Sequence, residues 1–346
     1  MYINFVMSSH VNSSIFNHII KYFEQYSKIK VIQTLRPVDN VGLYYYFRPH
    51  LESKLKQNSI VTVHHDLSDD DSNLNINKFI KRYKEAKLII CLNSNQKKVL
   101  SKYGVTNTII IPHGYNSDIL KIGKKQLHKK VTLGFFSSFY PRLVKGEEYL
   151  LSLFKNISSD NFDFILVGRK RERLAIDLRK YGFNCEVYEN LPYILFNKLY
   201  KSIDCLLITS KFEGGPASVA ESLATGTPII TMKVGIANDF KNDKGILFFS
   251  GIVEEDILLL YSLRDKIESM KAYINEKTRY KLMTWKEVIS MYDKEFLKLF
   301  IKSSVSYKDY LIPVISYKLH TIHLKKRIIM FFNLFIDSLR LISRTY

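Results

Sequence analysis

The chain has 346 residues, 46% of them hydrophobic and 13% aromatic, and carries 52 Lys and Arg against 33 Asp and Glu, a formal charge of +19. It is too apolar for a disordered basic tail and too long for one ordinary domain, so two domains with cores of their own are expected, without a disulfide or metal staple. The three cysteines, Cys91, Cys185 and Cys205, are widely spaced with no C-x-x-C pair, which excludes zinc and thiol-redox sites and points to a reducing, cytoplasmic compartment.

The opening run Tyr2 to Val6 lacks the charged n-region and small-residue cleavage site of a secretory signal and reads as a first buried strand. Further strands are expected at Lys30 to Gln33, Ile60 to His64, Leu88 to Leu92 and Thr108 to Ile111. Helical patterns such as Ile15 to Gln25 and Asn95 to Tyr103, the latter stopped by Gly104, alternate with them. That alternation is the signature of βαβ units on a mostly parallel sheet. Val61-Thr62-Val63-His64-His65-Asp66 puts two histidines and an acid at a strand end, with either histidine able to face inward. Asp69-Asp70-Asp71, flanked by Ser68, Ser72 and Asn73, reads as turn residues rather than a metal site. After His113-Gly114 the apolar periodicity lapses, so residues 1–122 are expected to form one domain and the polar, charged stretch 123–130 a linker.

A second α/β set follows at 131–300, with strands expected at Val131 to Phe136, Phe162 to Val167, Cys205 to Thr209 and Pro228 to Met232, closed by a helix from Thr284 to Phe300. Two doubly wound, Rossmann-like domains would face a central cleft at the carboxyl ends of their strands, where such folds bind ligands. No G-x-G-x-x-G follows the first strand, which counts against a nicotinamide enzyme. The segment from Ser210 to Ile230 is the most informative. Gly214 and Gly215 permit a tight turn and close ligand approach, Pro216 suits the first helical position, and Gly226 and Pro228 suit the helix end. The free amides near Ala217 and Ser218 would then favour an anion. Glu213 and Glu221, eight positions apart, flank that site. Carboxylates beside an anion site make sense when they accept hydrogen bonds from hydroxyls, and a sugar nucleotide offers both diphosphate and hydroxyls.

Residues 301–346 form a basic tail with eight Lys or Arg and two Asp. Ile328, Phe331, Phe332, Phe335, Leu339 and Ile342 share a helical face beside Lys325-Lys326-Arg327. No run of about 18 apolar residues exists to span a bilayer. The pattern instead fits a helix lying on an anionic membrane surface through residues 318–346, which favours a membrane over nucleic acid as a partner for part of the charge.

The E-x7-E spacing within Glu213-Gly214-Gly215-Pro216 through Glu221-Ser222 and Gly226-Thr227-Pro228-Ile229-Ile230 resembles the retaining glycosyltransferases of family 4, which have the GT-B fold. The resemblance extends to Leu199 to Asp204, Leu166-Val167-Gly168, Lys145-Gly146-Glu147-Glu148 and Ile111-Pro112-His113-Gly114-Tyr115-Asn116, and spans roughly Ile60 to Phe300. It implies that Glu221 accepts hydrogen bonds from the nucleotide ribose and Glu213 contacts hydroxyls of the donor sugar. Gly214, Gly215, Pro216, Ala217 and Ser218 would complete the donor site, and Lys145 would neutralise the diphosphate leaving group in place of a metal. His64, ahead of His65, matches a family histidine near the transferred sugar. Where the family has Gly-Arg, this chain reads Ser137 to Arg142; the second phosphate cation is assigned to Arg142, with Arg169 in reserve. The Gly-Gly pair after the first strand is replaced by Met7 to Ser13, and His113 stands where Asn is usual.

The implied activity is metal-independent, retaining transfer from a nucleotide-diphosphate sugar to a lipid-linked or surface-polysaccharide acceptor of capsule or O-antigen type. The attack is on the front face, the leaving phosphate accepting the acceptor's proton, and no cofactor is implied. The enzyme would sit on the inner face of the plasma membrane. A GT-B epimerase or hydrolase, or a non-catalytic sugar-nucleotide-binding module, is the alternative.

Overall fold

Runs of β-branched and aromatic residues buried on both faces make central strands of parallel sheets, and this chain has two sets of them. In the computed structural model, which describes residues 1–11, 13–123, 129–301 and 307–321, the chain divides into two units. The first holds Met1–Gly114 with the described residues from Met283 onward; the second holds Tyr115–Leu282.

In the first unit β1 (Tyr2–Val6), β2 (Lys30–Thr34), β3 (Tyr44–Tyr46), β4 (Ser59–Thr62), β5 (Leu88–Cys91) and β6 (Thr108–Ile110) form one parallel sheet in the order β2-β1-β3-β4-β5-β6. The helices Ser14–Tyr26, Ile76–Glu85 and Ser94–Lys102 each begin on a side-chain cap, from Ser13, Asn75 and Asn93. Strand β3 was not expected from the sequence. Its three successive tyrosines show no alternation because all are buried between β1 and β4.

The helix Trp285–Leu299 belongs to this unit and not, as its place in the chain suggests, to the second. Thr284 and Glu287 form a capping box at its start. Its apolar face of Trp285, Val288, Ile289, Tyr292 and Phe296 packs into the same cluster as Phe5, Phe23 and Tyr45. Asp293 fixes the docking by accepting from Ser27 Oγ at 2.6 Å and Lys28 N at 2.7 Å. The helix Leu311–Thr321 packs on β2, with Tyr317 buried and the ring of Tyr310, just before the helix, tilted against Tyr2 at 6.0 Å, so the expected tail begins with part of the first unit. Beyond Thr321 the expected membrane helix lies outside the described residues. Among the described residues no helix is long and apolar enough to cross a membrane.

The second unit repeats the plan. Strands β7 (Val131–Phe136), β8 (Phe162–Val167), β9 (Asn184–Tyr188), β10 (Cys205–Ile208), β11 (Ile229–Thr231) and β12 (Ile246–Phe248) form a parallel sheet in the order β12-β11-β10-β7-β8-β9. Its boundary falls at Gly114/Tyr115 rather than at 122, because Leu120 is buried beside Ile203 and Lys121 N donates to Asn197 Oδ1 at 2.9 Å. Most of the expected linker, 124–128, lies outside the described residues.

Three partly buried histidines of the first unit have ring nitrogens covered in ways that disfavour charge. Burial lowers the pKa of His50, holds His64 well below the usual imidazole range, and brings His65 to about 4. With the folded value below the unfolded one, the unfolded chain takes up the proton first. This stability is present above about pH 6.5 and is lost as pH falls towards 4. We expect the loss of unfolding free energy between pH 7 and pH 5, read by urea titration, to be smaller by about 2 kcal/mol in His65→Gln than in the wild type. An unchanged loss would contradict the assignment.

Candidate active site

The second sheet runs outward from β7 through β8 to β9, then restarts at β10 and runs the other way through β11 to β12. Open α/β sheets bind ligands at the carboxyl ends of the strands where this direction reverses, which here means the loops after β7 and β10. Those loops are clamped together. Thr209 Oγ1 donates to Lys145 O at 2.8 Å, and Lys211 N donates to Val144 O at 2.9 Å. Gly146, at φ 76°, lies so close to the Thr209 carbonyl that a Cβ there would overlap it. The clamp brings Lys145 Nζ to 2.6 Å from Glu213 Oε1, with the side chains 16% and 13% exposed. Ser210 Oγ donates to the same carboxylate oxygen at 2.7 Å, and the Tyr140 ring lies 5.4 Å from the Lys145 ammonium.

The helix Ala217–Ala224 starts without a side-chain cap. Pro216, with ψ 113°, is the cap residue itself, one position earlier than the sequence suggested, because its extended ψ does not fit a first helical residue. The first amides, those of Ala217 and Ser218, therefore have no acceptor within the helix. Gly235 packs against the backbone of Glu213 and the ring of Pro216, where a Cβ would come within 2.9 Å of each. At the far end Gly226, φ 75°, allows Gly226 N to reach Leu223 O at 3.1 Å and Thr227 N to reach Ser222 O at 2.9 Å, a Schellman closure. Glu221, in the second turn and 9% exposed, accepts from Tyr193 at 2.7 Å on Oε1 and from Tyr200 at 2.9 Å on Oε2. Burial raises its carboxyl above the usual range, and the two phenols work in the opposite direction.

The structure thus brings Lys145, Glu213, Gly214 to Ser218 and Glu221 together in the second unit. Arg142 lies on the same loop as Lys145 and is exposed, as is Arg169 after β8. Sequence reasoning missed Arg171, the last of the run Gly168-Arg169-Lys170-Arg171 that reads as a basic surface loop. It is 0% exposed, pairs with Glu147 Oε1 at 2.7 Å, and donates to Ser137 Oγ at 2.8 Å and Ser138 O at 2.9 Å, with a further bond to Ser137 O. One guanidinium thereby ties the loop after β7 to the helix that Lys145 precedes. The signal in the sequence was Glu147, the first of two acids opening a mostly apolar helix.

In the first unit His64 follows β4, with its ring parallel to Phe47 at 5.9 Å and 4.8 Å from Phe16; neither ring nitrogen has a hydrogen-bond partner. His65 turns instead to Phe79 at 4.1 Å. Arg48 reaches across the loop after β1, donating to Met7 O at 3.2 Å and Val11 O at 3.1 Å. Asp66, Asp69 and Asp71 each accept a backbone amide two residues on, as turn residues do. Among the described residues, no group of three or more His, Cys, Asp or Glu is placed to hold a metal ion.

The family model of glycosyl transferases group 1 matches residues 117–277, the segment that carries this site. Among solved structures, Anabaena HepE in complex with UDP and glucose is similar at TM-score 0.66 and 14% identity, over 86% of this chain and 100% of that one. Sucrose-phosphate synthase from Thermosynechococcus elongatus is similar at TM-score 0.67 and 11% identity, over 86% and 98%. The lipopolysaccharide outer core galactosyltransferase WaaB, in its apo form, is similar at TM-score 0.62 and 12% identity, over 85% and 100%. The shared architecture is GT-B, with its two α/β units. No curated protein sequence is similar enough to this chain to count as a relative.

Removing one partner of a buried ion pair leaves the other charge uncompensated. Arg171→Met is therefore expected to destabilise the second unit by about 3–5 kcal/mol, and adding Glu147→Leu to recover part of that loss. Urea unfolding of the single and double variants checks this; a single variant as stable as the wild type contradicts it.

Proposed function

We propose that this chain, whose residues 117–277 match the family model of glycosyl transferases group 1, is a retaining glycosyltransferase that moves a hexose from a nucleotide-diphosphate sugar to a lipid-linked or surface-polysaccharide acceptor. The observation that carries this reading is the Lys145–Glu213 pair, 2.6 Å apart, held beside an uncapped helix start where the sheet reverses direction. That arrangement offers an anion a cation and free amides, and offers hydroxyls a carboxylate, side by side.

In this reading Lys145 and the Ala217 and Ser218 amides receive the charge that develops on the diphosphate as its bond to the sugar C1 breaks. An ammonium has three donors, so Lys145 can bind a phosphate oxygen without releasing Glu213. Glu213 accepts from hydroxyls of the sugar, Glu221 from the ribose, and Arg142 adds a second cation. The acceptor oxygen bonds to C1 on the face the phosphate leaves, and its proton passes to the leaving phosphate oxygen. His64 enters as a neutral imidazole, since burial holds its pKa well below the usual range. The HepE structure holds UDP and glucose, which supports a nucleotide-sugar donor, and WaaB is a lipopolysaccharide outer core galactosyltransferase, which supports a surface-glycan acceptor. The basic sequence of residues 318–346 supports docking on an anionic membrane.

Incubation of the full chain with nucleotide sugars and membrane extracts should release nucleotide only when acceptor is present, and Lys145→Ala should lower kcat/KM about a hundredfold. Donor turnover to a new nucleotide sugar without acceptor would show an epimerase instead. Full activity in Lys145→Ala would remove Lys145 from the mechanism.

A further inference from the structure

We propose that Tyr193 and Tyr200 are positioning residues that present Glu221 as a two-oxygen acceptor for a vicinal diol, so that the site selects ribonucleoside diphosphates over their 2′-deoxy counterparts. This rests on the reading of the second unit as a donor site. An ionised carboxylate has about four lone-pair positions. Tyr193 fills one on Oε1 at 2.7 Å and Tyr200 one on Oε2 at 2.9 Å, which leaves acceptor capacity on each oxygen. The 2′- and 3′-hydroxyls of a ribose supply one donor for each. A 2′-deoxyribose leaves one of these acceptors unmatched, and a mostly buried acceptor without its partner is costly.

The two phenols come from a turn and the helix that directly follows it and bond to different oxygens, so the carboxylate cannot rotate without breaking a bond to one of them. Tyr200 lies on the helix Phe196–Lys201, is fully buried, and packs 5.1 Å from Phe136. Tyr193 opens the turn Tyr193–Leu195 and packs 5.1 Å from Phe196. The turn Thr278–Lys281, which packs on the Glu221 helix, carries Lys281, engaged with Asp243 at 3.0 Å. Burial alone would favour the protonated carboxyl, and a protonated oxygen would donate where the diol needs an acceptor; the phenols oppose this.

The test measures binding of UDP, GDP, ADP and CDP, each beside its 2′-deoxy form, to the full chain by calorimetry. The tightest ribonucleotide should be preferred over its deoxy form about tenfold or more. In Tyr193→Phe, whose side chain is only partly buried, that preference should fall at least threefold while affinity for the deoxy form stays nearly constant. In Glu221→Gln the preference should disappear. A wild-type preference in Tyr193→Phe, or an equal weakening of both forms, overturns the positioning role even where Glu221→Gln erases the preference. A preference that survives Glu221→Gln, or the failure of every diphosphate to bind, overturns the donor-site reading itself.

Discussion

The contact between Gly146 and the Thr209 carbonyl is the constraint from which the site follows. A residue with a side chain there would push the loop after β7 away from the loop after β10. Without that closeness the two backbone clamps, from Thr209 Oγ1 to Lys145 O and from Lys211 N to Val144 O, could not form. Lys145 and Glu213, 68 positions apart in the chain, would then have no shared geometry. Arg171 supports the same place from behind, where its guanidinium joins Ser137, Ser138 and Glu147 into one buried network. The chemistry is therefore preorganised by backbone contact first and by charge second, which lets a partly exposed lysine hold a defined position.

In the proposed reading, two carboxylates eight positions apart do different work because their surroundings differ. Glu213 sits against a cation, at a loop whose next residues open a helix, and belongs to the charged end of the site. Glu221 faces two neutral phenols under burial and behaves as a fixed polar acceptor. His64 and His65 of the first unit are kept uncharged by the same desolvation. The +19 of the chain is thus not spread evenly over function: Lys145 and Arg171 already have acid partners, and +6 of it lies on residues 301–346.

Much of this was legible in the sequence. Strand runs such as Val131 to Phe136 and the Gly-Gly-Pro entry to the Ala217 helix have local signatures; the strand falls where expected and the helix entry within one position of it. The clustering of Glu213, Glu221 and Lys145 in one unit agrees with the resemblance. What the sequence hid depends on tertiary contact. Strand β3 is tyrosine-rich and shows no period because every side chain is buried. The Trp285–Leu299 helix follows the second unit in the chain, but its apolar face fits the aromatic layer of the first. Arg171 sits in a run of cations, and only its distance of 2.7 Å from Glu147 separates it from its surface neighbours. Tyr193 and Tyr200 lie in an ordinary helical pattern until Glu221 is placed between them.

The central claim is that the donor diphosphate is held where the second sheet reverses direction, by Lys145 and the start of the Ala217 helix. Hydrogen exchange with and without saturating nucleoside diphosphate tests it most directly, since the claim names the amides that should change. Binding should slow exchange at 143–148 and 213–220 and leave the core strands of both units unchanged. Slowing confined to any other part of the chain, with these two segments unaffected, would contradict the account.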